Sequence, residues 1–333
     1  MTPALRLGRG LRRACALAGL VALAACGDGG QKAAPGHPLT FAILSAEGQA
    51  ATEPVWRPLL DDMGKAVGAP VQARFGASYE ELVHAMQAGE VQVAWLSPRP
   101  AIQVLESGTA EVVARTVDGS GEDSYRSVMI VQTGSGLTLE RVLNCDRKLR
   151  LGLGDADSTS ATLAPAAFLF GPRDIDPAAC FASVRSGDYP TNAYAVAGGT
   201  LDVAVVNTVT LAQLRRQNPQ IADQVQEIWR SPALPESAVL VRQDVDPAVR
   251  EKLRSFLLTY GQGESAAAAR QRQVLAALNY SQFRAADAAY LDPVREMIAS
   301  QRLIQARASG DRSERQAAEA ELQRLRAKRE VQP

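Results

Sequence analysis

Short apolar strands alternate with amphipathic helices along most of this chain, and this pattern constrains its fold more than any other sequence feature. The first series runs from a strand at 39–44 to a strand at 91–96, with two helices predicted between them. A second series begins at 149–153 and reaches a strand at 201–206. Strands that alternate with helices indicate an α/β fold with parallel sheets covered on both faces.

The interruption between the two series predicts two lobes with a ligand cleft between them. The predicted parts are lobe 1 over residues 39–126, lobe 2 over 127–230, and a return to lobe 1 with C-terminal helices over 231–300. Two crossings of the chain form a hinge, and a groove between hinged lobes is a natural ligand site. Residues 301–333 form a charged helical tail, either solvated and frayed or bound to a partner.

The N-terminus has the organisation of an export signal. Arginines precede an apolar run at 14–25, which is too short to span a membrane. Cys26 follows Leu23-Ala24-Ala25 and resembles the lipidated cysteine of a bacterial lipobox. We expect a lipoprotein signal peptide over 1–25, a flexible linker over 26–38, and a lipid anchor on Cys26 that tethers an exported, periplasmic protein to a membrane. The alternative is an ordinary signal peptide with an incidental cysteine.

Composition excludes several classes of function. The chain has 36 lysines plus arginines and 36 aspartates plus glutamates, whereas a nucleic-acid binder normally shows a basic excess. His37 and His84 are the only histidines, which leaves little for histidine-based catalysis or metal binding. We expect no enzyme, no cofactor, no metal and no nucleic-acid partner; an exported enzyme is the weakest alternative.

Two cysteines remain in the exported part of the chain beyond Cys26. Cys145 and Cys180 each stand just ahead of a predicted strand, at 149–151 and 181–184. Neighbouring parallel strands would bring these two positions together, and disulfides persist outside the cytoplasm. We predict a Cys145–Cys180 disulfide; two buried free thiols are the alternative.

A cluster of hydroxyl residues opens the helix predicted near 160–170. Ser158, Thr159 and Ser160 follow a strand that ends in Gly152-Leu153-Gly154. The unpaired N–H groups at a helix N-terminus bind anions, and hydroxyls add donors without fixed charge. The third glycine of a dinucleotide site and the lysine of a P-loop are both missing. An ordinary helix cap with redundant hydroxyls is the alternative.

From about Phe41 to Met297 the chain resembles the phosphonate/phosphite family of substrate-binding proteins that serve ABC importers. The segments that carry the resemblance are Ser45-Ala46-Glu47, Trp56–Met63, Ser124–Val128, Gly154–Ser160, Thr191–Val196, Ile228–Pro232 and Phe283–Asp287. The resemblance implies a two-lobed type II periplasmic-binding-protein fold with a ligand cleft between the lobes.

The resemblance also implies which residues bind the ligand. Ser158, Thr159 and Ser160 match the cluster that holds the phosphonate oxygens, and Tyr79 and Tyr125 match aromatic positions of the cleft. Tyr189 stands where relatives often carry histidine. Ser97 ends a strand where such sheets present ligand contacts, although a simple helix cap explains it equally well. For each tyrosine alone, ordinary packing is the alternative.

The resemblance implies a monomer that captures a small phosphorus oxyanion, such as phosphate, phosphite, methylphosphonate or a related phosphonate, and delivers it to a membrane permease. Val209 stands where binders of aminated ligands can place a carboxylate, and Glu236 is displaced from the expected position. An unpaired ammonium is costly in a cleft, so we expect a ligand without an amine. The alternative function is a ligand sensor that partners a membrane signalling receptor.

Overall fold

The computed structural model describes residues 36–44 and 49–331. The predicted signal peptide, the lipidation site at Cys26 and most of the predicted linker lie outside the described residues, as does Ser45-Ala46-Glu47. Within the described ranges, every helix is too short or too polar to cross a membrane.

The strands and helices follow one another in the alternating order that the sequence predicts. The strands are β1 (Leu39–Leu44), β2 (Val71–Gly76), β3 (Val93–Leu96), β4 (Ala110–Asp118), β5 (Ser124–Tyr125), β6 (Ser127–Gln132), β7 (Arg150–Leu153), β8 (Ser183–Ser186), β9 (Val203–Asn207), β10 (Val225–Arg230), β11 (Leu234–Pro235), β12 (Ala238–Arg242) and β13 (Tyr280–Arg284). The α-helices are α1 (Gln49–Val67), α2 (Tyr79–Gln87), α3 (Pro98–Glu106), α4 (Leu139–Val142), α5 (Pro177–Cys180), α6 (Tyr189–Ala197), α7 (Thr208–Gln217), α8 (Pro219–Ala222), α9 (Pro247–Thr259), α10 (Ala266–Ala277), α11 (Asp292–Ser309) and α12 (Arg312–Val331).

The first lobe is built on a six-stranded sheet in the order β13-β4-β12-β3-β1-β2. β1 pairs in parallel with β2 and β3, but β12 and β13 run antiparallel to their neighbours. The prediction of a purely parallel sheet is therefore wrong. The C-terminal part of lobe 1 was predicted to contain helices, and the structure adds the edge strand β13 between them. Only Phe283 of β13 is fully buried, so the strand has too little apolar periodicity to be recognised from sequence.

The second lobe is built on a five-stranded sheet in the order β10-β6-β9-β7-β8. β7 runs parallel to β8 and β9, whereas β6 runs antiparallel to both β9 and β10. This sheet is thus mixed as well. Its central strands are completely buried at Val128, Leu151 and Val205, which explains their unbroken apolar sequence.

Two short strands run side by side where the chain passes between the sheets. β5 and β11 pair antiparallel, with Tyr125 opposite Leu234 and Ser124 opposite Pro235. The outgoing and returning crossings are therefore hydrogen-bonded to each other. This pairing brings the residues that flank the two crossings, Tyr125 and Glu236, to the same region between the lobes.

Cys145 and Cys180 form a disulfide in the second lobe. β7 and β8 pair in parallel, with Arg150 opposite Ser183, so the two segments that lead into these strands lie side by side. β8 begins at Ser183 and not at 181, because Phe181 is buried in the core just ahead of the strand.

The C-terminal residues form a helical hairpin. Gly310 has φ +75°, the left-handed conformation that ends α11 and turns the chain back. Ala318, Leu322 and Leu325 of α12 are buried, and Lys328 Nζ lies 2.5 Å from Asp292 Oδ2 at the start of α11. The expectation of a solvated, frayed tail is wrong, because these three apolar residues recur at helical spacing and cover the neighbouring helix.

Candidate ligand-binding site

The hydroxyl-bearing segment follows β7 through a tight turn. A Cβ on Gly154 would lie 2.5 Å from the Ala161 side chain, so only glycine permits this approach. Ser158 caps the helix, its Oγ accepting from the Ala161 N–H at 3.0 Å. Leu163 N–H donates to the Ser158 carbonyl five residues earlier, which makes the segment π-helical over Thr159–Leu163. The predicted helix at 160–170 is therefore mostly π-helical, a form often found at functional sites.

Thr159 connects the second lobe to the first. Its Oγ1 lies 2.8 Å from Ser97 Oγ and accepts a 2.9 Å hydrogen bond from the Arg99 N–H. Ser97 precedes α3 and makes no side-chain bond to cap that helix. Ser97 thus occupies the N-cap position of α3, but its hydroxyl bonds to Thr159 of the second lobe instead of capping the helix.

Tyr189 joins the other two hydroxyls of the cluster. Its phenol oxygen lies 2.8 Å from Ser158 Oγ and 2.9 Å from Ser160 Oγ. Asn207, at the end of β9, donates from Nδ2 to Ser160 Oγ at 3.4 Å. Asn207 was not among the predicted ligand-binding residues, although a position at the carboxyl end of a strand is a general signal for ligand contacts.

A cavity of about 320 Å³ lies against this network. Tyr79, Ser97, Tyr125 and Tyr189 all line it. Ser158, Thr159 and Ser160 are buried, and each is bonded to a residue of the cavity wall. The structure therefore brings all seven predicted ligand-binding residues to one place.

Three tyrosines of this site are neutral at physiological pH. Burial raises the pKa of the Tyr79, Tyr125 and Tyr189 phenols above its ordinary value. Neutral phenols retain their protons and can donate hydrogen bonds to an anion. The site thus offers donors that carry no charge of their own.

Glu236, which is displaced in sequence from the position expected for an amine-binding carboxylate, nevertheless lines the cavity. Its side chain is buried, with 5% of the residue exposed, and Oε1 has no hydrogen-bond partner among the residues that the structure describes. Burial, with a further contribution from the Asp118 charge, raises the pKa of this carboxyl to about 7. An amine-free ligand was expected because the predicted cleft had no carboxylate to pair with an ammonium group, and Glu236 supplies such a carboxylate.

Three aromatic rings, which sequence reasoning missed, form another part of the wall. Trp56, Trp95 and Tyr280 all line the cavity, with the two indole centroids 5.4 Å apart and Tyr280 6.5 and 6.3 Å from them. They come from α1, β3 and β13, three elements far apart in sequence. The three rings meet because of the way the elements pack and pair, and no local sequence pattern indicates that they lie together.

The charged residues of the lining are Asp118, Asp188 and Glu236; lysine and arginine do not occur among the described residues of this wall. Asp118 Oδ1 accepts from the Ser120 N–H and hydroxyl, and Asp188 caps α6 by accepting from the Thr191 N–H. Glu236 differs from both because one of its oxygens, Oε1, meets no donor in the described part of the chain. An anion at this site would be held by neutral donors.

This two-lobed arrangement, with a hydroxyl-lined cavity between two sheets, agrees with the comparison to known proteins. Residues 41–291 match the family described as "ABC transporter, phosphonate, periplasmic substrate-binding protein". The chain belongs to this family. Its function is that of a substrate-binding component of an ABC transporter, and the match confirms the resemblance stated from the sequence.

Individual members of the family give the same result. The phosphonates-binding periplasmic protein of Escherichia coli (strain K12) is 32% identical over 260 residues, which cover 78% of this chain and 75% of that protein. The crystal structure of a binding protein component of a Pseudomonas aeruginosa ABC phosphonate transporter has a TM-score of 0.81 at 30% identity and covers 89% of this chain and 99% of its own.

A more distant structure shares the fold alone. A Prochlorococcus marinus (MIT 9301) protein in complex with methylphosphonate has a TM-score of 0.68 at 16% identity, covering 78% of this chain and 96% of that one. These similarities agree with the predicted two-lobed α/β architecture.

Proposed function

We propose that this protein captures a small phosphonate or phosphite in the cleft and delivers it to a membrane permease. The observation that carries the proposal is two groups of hydroxyl contacts at the cavity wall, Ser97 with Thr159 and Tyr189 with Ser158 and Ser160. These contacts concentrate hydroxyl donors from both lobes at one place. A phosphorus oxyanion presents several oxygens in a small volume, which matches such a cluster of donors.

Neutral donors are sufficient for the affinity that a transporter needs. A micromolar dissociation constant corresponds to about 8 kcal/mol. Hydrogen bonds to an ionised acceptor contribute roughly 1.5–3 kcal/mol each, so a handful of hydroxyl and N–H donors reaches this value. The cavity of about 320 Å³ is large enough for a small phosphonate.

Glu236 favours a second ligand class, in which the phosphonate carries an amine. Its unpartnered Oε1 is the kind of buried acceptor that an ammonium group would satisfy. An amine-free ligand suits the protonated carboxyl, whereas an aminated ligand suits the ionised form. The comparison between methylphosphonate and 2-aminoethylphosphonate therefore distinguishes the two classes.

Residues 39–126 and 231–300 form lobe 1 in this proposal, and residues 127–230 form lobe 2.

The proposal also includes export of the protein and its attachment to a membrane through Cys26. A lipid chain contributes roughly 0.8 kcal/mol per buried methylene to membrane binding. Replacing Cys26 by serine should move the protein from the membrane fraction to the soluble fraction without loss of ligand binding. Unchanged fractionation of the variant would contradict the anchor.

Calorimetry on residues 27–333, refolded from denaturant to remove bound ligand, tests the capture function. The panel is phosphite, methylphosphonate, phosphate, 2-aminoethylphosphonate and an alkylsulfonate. We expect micromolar or tighter binding of at least one phosphorus oxyanion by a monomer, and no binding of the alkylsulfonate. A folded sample that binds none of the panel would overturn the proposal and bring forward the sensor function.

A further inference from the structure

Asp157 links the hydroxyl-bearing loop of the second lobe to helix α3 of the first. Its Oδ1 lies 3.3 Å from Arg99 Nε and accepts a 2.8 Å hydrogen bond from Gln103 Nε2. Arg99 and Gln103 are four residues apart on α3, so both side chains lie on the same face of that helix. The Asp157 N–H donates to Asp155 Oδ1 at 2.8 Å, which fixes the loop that presents the carboxylate.

This bridge is separate from the ligand cavity. Among the described residues that line the cavity, Arg99, Gln103 and Asp157 do not occur. A ligand in the cavity therefore need not touch them. Thr159, two residues after Asp157, nevertheless bonds to Ser97 and to the Arg99 N–H. One short loop thus carries both a ligand-site hydroxyl and a contact between the lobes.

The seam between the lobes at this place, which contains the Asp157 bridge and the Ser97–Thr159 bond, also has apolar contacts. Leu163 and Ala164, on the π-helical segment, share a buried cluster with Val294 and Met297 of α11. Apolar contacts of this kind are non-directional and tolerate sliding. The Asp157 bridge supplies the directional, charge-assisted contact at the seam.

We infer that Asp157, Arg99 and Gln103 form a latch that holds the closed lobes together and slows the release of bound ligand. The inference rests on the proposed function, since release presupposes a bound phosphonate. Opening the cleft separates α3 from the loop and must break these bonds. Asp157 and Arg99 side chains are 20% and 21% exposed, so salt weakens the latch without abolishing it.

Stopped-flow fluorescence measures the release rate, because Trp56 and Trp95 line the cavity. The ligand is whichever phosphonate the wild type binds most tightly in the calorimetric panel. Asp157→Asn should release it about fivefold faster, with association little changed, since lost contacts act mainly on dissociation. Added sodium chloride should accelerate release from the wild type more than from the variant.

Asp202→Asn is the matched control. Asp202 accepts from Arg150 at 2.8 Å within the second lobe, and its side chain is 26% exposed. Removing this ion pair perturbs a similar charge without touching the seam, so release should stay at the wild-type rate. Equal release rates for Asp157→Asn and Asp202→Asn would overturn the latch and leave the proposed function intact.

Hydrogen exchange of the ligand-free protein tests the latch without any ligand. If the wild type binds none of the panel, that failure overturns the proposed function, but the exchange experiment still tests the latch. Asp157→Asn should accelerate amide exchange over residues 155–163 relative to Asp202→Asn. Combining Asp157→Asn with Arg99→Gln should add little further acceleration, because either change breaks the same bridge. Exchange indistinguishable between the two single variants would contradict the latch.

Discussion

Ser97 Oγ and Thr159 Oγ1 lie 2.8 Å apart across the interface between the lobes, although 62 residues separate them in sequence. Each hydroxyl has one proton, and Thr159 already accepts from the Arg99 N–H. Whichever of the two donates to the other, one hydroxyl proton remains for a further acceptor. Thr159 is fully buried and Ser97 lines the cavity, so when Thr159 donates to Ser97 the Ser97 proton is free to bind an anion there while the pair connects the lobes.

Tyr189→Phe should weaken phosphonate binding about tenfold while leaving the fold intact. The substitution removes the hydroxyl that contacts both Ser158 and Ser160. The expected loss of binding free energy is that of one hydrogen bond to a charged acceptor. Tyr194→Phe is the control, because Tyr194 is 42% exposed and its phenol bonds to Asn218 on the surface. Calorimetry of both variants checks this; equal affinities would argue against Tyr189 as a ligand-site residue.

Glu236 should make the stability of the ligand-free protein depend on pH. Its folded-state pKa of about 7 exceeds the ordinary value of 4.5, so the folded state binds a proton more tightly than the unfolded chain. The corresponding stability is present below pH 4.5 and is lost as the pH rises through 7, by an amount on the order of 3 kcal/mol.

Glu236→Gln isolates this dependence. Relative to the wild type, the variant should gain in free energy of unfolding as the pH rises from 5 to 8. Urea denaturation at several pH values measures the difference between the two proteins. A difference that stays constant over this range would mean that the carboxyl titrates normally.

The second-lobe disulfide should contribute substantially to stability. Cys145 and Cys180 are 35 residues apart, and closing a loop of this length stabilises a protein by about 3–4 kcal/mol on the chain-entropy argument. Thiol titration of unfolded, unreduced residues 27–333 should find no free thiol, and reductant should release two. Two thiols without reductant would show that the bridge does not form in the protein.

The C-terminal hairpin should depend on the buried face of α12. Leu325 is 2% exposed, and Leu325→Ala should lower the free energy of unfolding by about 2–3 kcal/mol. Gln323→Ala, on the exposed side of the same helix, should change it by less than about 0.5 kcal/mol. Similar small effects from both substitutions would indicate that α12 does not pack stably on α11.

Local signals in the sequence predicted much of this structure. Ser78 stands three residues before Glu81, a spacing typical of a helix start, and its side chain accepts from the Glu81 N–H as the N-cap of α2. Leu39–Leu44 matches its apolar pattern from end to end. The hydroxyl cluster was also visible, because a strand, two glycines and three hydroxyls are adjacent in the chain.

Features that depend on distant partners were not predictable in the same way. The role of Ser97 depends on Thr159 in the other lobe, and the position of Glu236 depends on the pairing of β11 with β5. The antiparallel direction of β13 is set by its partner β4, since its own sequence buries a single large side chain. Such relationships arise from topology, which one sequence does not specify locally.

If hydroxyls from both lobes bind a phosphorus oxyanion, a variant that lacks one hydroxyl from each lobe should lose affinity for it. The measurement compares calorimetric binding of the preferred phosphonate to the refolded wild type and to Ser97→Ala/Thr159→Ala, with circular dichroism to verify folding. We expect the folded variant to bind the phosphonate about 100-fold more weakly than the wild type, or weaker still. A folded variant that binds with wild-type affinity would contradict this expectation.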